Sequence, residues 1–97
     1  MNNLKWLQQF YKSQCNCEWE HTYGIKIDTL DNPGWGINID LYDTDYRERK
    51  FDELRIERSE NDWIICKIEK YIFKGAGGPQ NLDEIIGVFR NWIEKQI

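Results

Sequence analysis

The sequence is poorest in the residues that do chemistry near neutral pH. It holds a single histidine, His21, and three cysteines, Cys15, Cys17 and Cys66, among 97 residues. One imidazole leaves little scope for acid–base catalysis unless carboxylates with raised pKa take over. An odd number of thiols does not make a disulfide framework, and free reduced cysteines are expected. Long apolar runs are missing too, since no stretch approaches the roughly 18 residues that a membrane-spanning helix needs. Met1-Asn2-Asn3 leads into an amphipathic segment with no signal-peptide core, so a cytoplasmic protein without a membrane partner is expected. No linker, repeat or low-complexity segment divides the chain, which reads as one domain over residues 1–97.

What is abundant is aromatic and acidic. Five tryptophans, five tyrosines and four phenylalanines, within a hydrophobic content of 40 %, are enough to fill one core. Seventeen acidic residues against thirteen basic ones give a net charge of −4. That balance repels nucleic acid at long range and favours a basic partner. The excess is local: from Asp40 to Asp62 there are nine acids and five bases, and the rest of the chain is balanced at eight of each.

Periodicity places the elements. Leu4, Leu7, Gln8 and Tyr11, widened by Trp6 and Phe10, predict a helix over residues 3–14. Alternation of Ile25 and Ile27, and then of Trp35, Ile37, Ile39 and Leu41, predicts strands over 23–30 and 35–42. Between them Asp31-Asn32-Pro33-Gly34 has the composition of a type II turn, with Gly34 at positive φ. Residues 51–58 and 62–71 read as strands three and four around Ser59-Glu60-Asn61, with Leu54, Ile56, Ile64, Cys66 and Ile68 inward. Gly75-Ala76-Gly77-Gly78-Pro79 is expected to end the sheet. Asn81 and Glu84 resemble a capping box opening a last helix whose buried face is Leu82, Ile85, Ile86, Phe89, Trp92 and Ile93. The expected fold is α+β: an N-terminal helix, a four-stranded antiparallel sheet and a C-terminal helix, with both helices on one sheet face. The uncovered face would present Lys26, Asp28, Asn38, Asp40, Tyr42, Glu53, Arg55, Glu57, Trp63 and Ile65, a mixture suited to a protein interface.

Three chemical alternatives fare poorly on spacing. Cys15, Cys17, His21 and Cys66 could form a zinc site, but Cys-x-Cys is narrower than usual structural zinc spacing and Cys66 sits in a strand. No metal or other cofactor is expected. A cysteine nucleophile with His21 as base, as in a small sulfur-transfer enzyme, lacks a third group to orient the base. The Gly75 to Gly78 segment lacks both the third glycine of a dinucleotide fingerprint and the Lys-Ser/Thr of a phosphate-binding loop, and Asp83 and Glu84 occupy the helix end.

Trp6-Leu7-Gln8-Gln9-Phe10-Tyr11, Cys17-Glu18-Trp19-Glu20-His21, Tyr23-Gly24-Ile25-Lys26-Ile27, Thr29-Leu30-Asp31-Asn32-Pro33-Gly34-Trp35 and Asp62-Trp63 together resemble the immunity protein 53 family, along nearly the whole chain. The resemblance implies a non-enzymatic protein that protects its own cell by binding and blocking a cognate secreted toxin, without a cofactor. The local acidity suggests a basic toxin, such as a nuclease, met by electrostatic steering. The partner-binding candidates are Glu18, Glu20, Asp31, Asp40, Tyr42, Asp43, Asp45, Glu48, Arg55 and Trp63. A monomer or a weak homodimer is expected, and a homodimer that buries the open face against itself is the alternative binding role.

Overall fold

A computed structural model describes residues 1–95. Helix α1 spans Asn3–Gln14 and begins where the Asn2 side chain accepts the Lys5 N–H at 2.8 Å. A single helical turn, α2, covers Trp19–Thr22. Five strands follow: β1 Ile25–Leu30, β2 Gly34–Asp40, β3 Leu54–Ser59, β4 Asp62–Glu69 and β5 Ile72–Gly77. Helix α3, Leu82–Glu94, closes the fold.

The sheet is antiparallel throughout, in the order β1-β2-β5-β4-β3. The α+β class is as expected, but the sheet has five strands rather than four. The extra strand arises because the predicted strand over 62–71 turns back at Lys70-Tyr71, both at positive φ (53° and 65°). The glycine-rich stretch then forms the sheet's central strand instead of ending the sheet. No Asn-Gly or Asp-Gly marks that turn, and such pairs are the usual sequence signal of a two-residue hairpin.

Glycine has a packing role in β5. A Cβ on Gly75 would lie 2.3 Å from Ile85 Cγ2 and 2.9 Å from Ile37 Cγ2, so the missing side chain lets α3 settle onto the sheet. Gly34 likewise differs from expectation. It is the first residue of β2, without positive φ, and Asp31, Asn32 and Pro33 form the loop alone. Glycine is required there because a Cβ would lie 2.2 Å from the Gly77 carbonyl oxygen.

Both helices lie on one sheet face, α3 over β4 and β5 with α1 packed against α3. The buried stripe of α1 is Leu7 and Phe10 with half-buried Trp6, while Leu4 and Tyr11 are exposed, so the helix is rotated from the predicted stripe. Phe89 is the hub of the core, with ring centroids 5.1 Å from Phe10, 4.9 Å from Phe73 and 5.9 Å from Trp92. The inward set of β4, Ile64, Cys66 and half-buried Ile68, is as predicted.

From Leu41 to Glu53 the chain carries no strand or helix and crosses from β2 to the far edge at β3. It is anchored by half-buried Tyr46 and Phe51, whose rings meet Trp92 at 6.2 and 5.6 Å, and by the Trp92 indole N–H donated to the Lys50 carbonyl at 2.8 Å. This crossover leaves the space between β2 and β4 that β5 fills.

Candidate functional site

The two ends of the sheet carry different polar groups. At the end formed by Gly24, Asp40 and the β4–β5 turn, the segment after α1 is fixed by local hydrogen bonds. The Glu20 carboxylate accepts the N–H groups of Asn16 (2.9 Å) and Cys17 (2.8 Å), which holds Cys17 at φ 73°. Backbone N–H donation, ahead of the nearby His21, keeps the Glu20 carboxyl below the usual carboxylate range. The Asn16 side-chain oxygen accepts from the N–H groups of Glu18 (3.0 Å) and Trp19 (2.8 Å), and its amide nitrogen donates to Asp43 at 3.0 Å. Trp19 is fully buried and donates its indole N–H to the Asp40 carbonyl at 3.0 Å. Two stretches far apart in sequence, 16–20 and 40–45, are thereby joined.

Beside that junction lies an aromatic cluster. Tyr23 meets Tyr42 edge to face at 5.5 Å, and Tyr42 stacks on Tyr71 at 6.0 Å. The Arg47 guanidinium sits 4.4 Å from the Tyr42 ring centroid and 4.7 Å from that of Tyr71. Tyr42 and Tyr71 remain 41 % and 40 % exposed. Desolvation raises the pKa of the Tyr23 hydroxyl, reinforced by Tyr42 and by the charges of Asp40, Asp43 and Glu18. A hydrogen bond with Tyr71 raises that of Arg47. An open dish lined by Ser13, Asn16, Tyr42, Asp43, Asp45 and Arg47 adjoins the cluster.

The fold thus brings together Glu18, Glu20, Asp40, Tyr42, Asp43 and Asp45 from the sequence candidates. Glu48 is next to them, 3.5 Å from Arg47. Three candidates lie elsewhere. Asp31 is in the β1–β2 loop at the opposite end of the sheet. Arg55 sits on the open face, 3.8 Å from both Glu53 and Glu57. Trp63 is on the open face near the β3–β4 turn, beside Glu57 and Glu60. The tyrosine cluster also contains Tyr23, Arg47 and Tyr71, which sequence reasoning did not single out. The available signal was the length of the β-prone segment from 62 to 74, longer than a typical strand.

At the opposite end one polar cluster is internally satisfied. Arg58 donates to Asp62 at 2.8 Å and to Glu84 at 2.5 Å. Asn81, nearly buried, donates to Asp62 (2.9 Å) and Glu84 (3.1 Å) and accepts the Trp63 N–H at 3.3 Å. The expected capping box is therefore replaced: the Asn81 side chain bonds no N–H of α3 but ties the helix start to β4. Hydrogen bonds from Asn81 and Arg58 keep the Asp62 carboxyl below its ordinary range, and those from Arg58 and then Asn81 do so for Glu84.

On the open face the cross-strand row Lys26, Asn38, Lys74 and Lys67 is basic, and Lys74 and Lys67 both pair with Glu69 (2.9 and 3.8 Å). That face is therefore of mixed charge. The thiols are dispersed: Cys15 and Cys17 are exposed, whereas Cys66 is buried in β4 with its pKa pushed up to about 12 by desolvation. Among the described residues no three histidine, cysteine, aspartate or glutamate side chains gather in a way that could hold a metal ion.

Two helices over one face of a five-stranded antiparallel sheet, with polar groups converging on shallow surfaces, define a small α+β sandwich. No helix among the described residues is long and apolar enough to cross a membrane. The family model of immunity protein 53 matches residues 4–94, and the chain belongs to the immunity protein 53 family. No curated protein and no solved structure matches the chain significantly.

Proposed function

We propose that this protein binds a cognate secreted toxin in the cytoplasm and neutralises it by covering the toxin's active site, with the tyrosine cluster and its acidic rim as the contact surface. The observation that carries the reading is the exposed Tyr42–Tyr71 stack with Arg47 over it, beside Glu18, Asp40, Asp43 and Asp45. Tyrosine and arginine are the residues whose truncation costs most at protein interfaces, and a carboxylate rim steers a basic partner. A basic toxin, a nuclease among the possibilities, complements that surface. The cluster of Arg58, Asp62, Glu84 and Asn81 at the opposite end supports the choice, since those groups are bonded to one another.

The reading involves no catalysis. A thiol enzyme needs an accessible, readily ionised cysteine beside a base, which Cys66, buried with a raised pKa, is not. Replacing the exposed Cys15 and Cys17 with serine is expected to leave protection unchanged. The test is protection of cells that express the toxin encoded beside this protein. Tyr42→Ala combined with Tyr71→Ala is expected to weaken toxin binding by about 100-fold and abolish protection, with the fold retained. Arg55→Ala and Asp31→Ala are expected to bind as wild type. Unchanged binding by the double tyrosine variant would remove this surface from the proposal, and cells that die equally with or without the protein would remove the function itself.

A further inference from the structure

The two edges of the sheet are guarded unequally. At β3, Arg55 is held between Glu53 and Glu57, and the pairing with β4 slips between Glu57 and Ser59. Charges and a bulge of this kind deter edge-to-edge pairing. At β1 the pairing with β2 runs without a slip from Ile25 to Leu30, and Lys26, Ile27, Asp28 and Thr29 are all exposed. Ile27 is 37 % exposed because the helix layer on that face rests on β4 and β5, away from the β1 edge.

The hydrogen-bond phase of β1 is fixed. Asp40 donates its N–H to the Gly24 carbonyl at 3.1 Å, in register with the Ile25–Ile39 pair that follows. Antiparallel alternation then commits Lys26 and Asp28 to β2 and turns the N–H and C=O groups of Ile25, Ile27 and Thr29 outward. Among the described residues, Lys26 and Asp28 have no ion-pair partner in their own chain.

We propose that the β1 edge is a self-complementary interface, which pairs antiparallel with β1 of a second copy about a two-fold axis at Ile27. Lys26 of each copy then lies opposite Asp28 of the other on the open face, and Ile27 meets Ile27 on the helix-bearing face. Ile25 and Thr29 fall opposite one another, so every outward backbone group of the three residues finds a partner. An isologous contact must match itself in this way, and opposite charges directly across strands are favourable where like charges are not. The two sheets join into one, and the antiparallel arrangement puts the two tyrosine clusters at opposite ends. The inference is independent of the toxin-binding surface.

Sedimentation of the full chain in reductant, across a concentration series, tests it. The wild type is expected to show a monomer–dimer equilibrium. Lys26→Asp and Asp28→Lys, each of which sets like charges across the axis twice, are expected to weaken the homodimer at least about tenfold. An equimolar mixture of these two variants is expected to form a heterodimer, and the double exchange Lys26→Asp/Asp28→Lys is expected to dimerise as wild type does. Both side chains are exposed, so the fold survives each change. A wild-type chain that stays monomeric up to its solubility limit overturns the proposal. So do single variants that associate as the wild type does, or a mixture that fails to associate.

Discussion

The two ends of the sheet use the same residue types to opposite effect. At one, Arg58, Asp62, Glu84 and Asn81 are bonded to one another and to the Trp63 backbone. At the other, Arg47 lies on two exposed tyrosines, and Asp45 has no ion-pair partner among the described residues. The contrast separates a cluster bonded within the fold from one whose tyrosine rings stay exposed. Composition does not separate them, because both ends contain arginine, carboxylates and aromatics.

Substitutions at the satisfied end should therefore cost stability, and those at the tyrosine end should cost binding. The largest effect is expected from Gly34→Ala, whose Cβ would press on the Gly77 carbonyl oxygen from 2.2 Å. Because a backbone atom cannot rotate away, a loss of about 3 kcal/mol in chemical denaturation is expected. Asn81→Ala is expected to cost about 2 kcal/mol, since it leaves the Trp63 N–H unpaired and frees the start of α3 from β4. If it unfolds no more easily than wild type, the distinction between the ends fails.

The β4–β5 turn sharpens the comparison from the other side. Lys70 and Tyr71 stand in the left-handed region, where a side chain is strained. Lys70→Asn with Tyr71→Gly supplies the residues that such a turn favours, and a gain of about 1 kcal/mol in stability is expected. Toxin binding should fall in the same variant, because the Tyr71 ring is gone from the Tyr42 stack. A variant that is both more stable and fully protective would dissociate the strain from the proposed surface.

The smallest effect is that of acid. Hydrogen bonds from Asn81 and Arg58 lower the folded pKa of Asp62, and those from Arg58 and then Asn81 lower that of Glu84. Groups lowered in the folded state add stability that is present above their unfolded pKa values, near 4, and lost as pH falls through the folded ones. Denaturation midpoints should therefore drop on acidification below about pH 4, and Arg58→Gln should flatten that drop.

Much of the local structure was legible in the sequence. The bounds of α1, the inward set of β4 and the buried face of α3 follow from periodicity, which is a property of neighbours along the chain. The β4–β5 hairpin was not legible, because Lys70-Tyr71 adopts a conformation its residue types disfavour and only the surrounding sheet holds it there. Gly75 and Gly34 were misread for a related reason. Their lack of a side chain serves close approach by Ile85 and by Gly77, neither adjacent in sequence. Of the binding candidates, six were brought together because Asn16 and Trp19 bond to Asp43 and Asp40, and Asp31, Arg55 and Trp63 were separated by sheet geometry.

The sequence by itself determined the class: two amphipathic helices flanking a run of alternating strands, acidic in the middle, with the motifs of an immunity protein family. Tertiary structure alone decided the strand order, the assembly of Tyr23, Tyr42, Tyr71 and Arg47, and which charges are already paired. The physical reason is range. Periodicity and capping act within a few residues, whereas hydrogen-bond satisfaction and ring stacking depend on groups that meet only after the crossover from β2 to β3 has closed around β5.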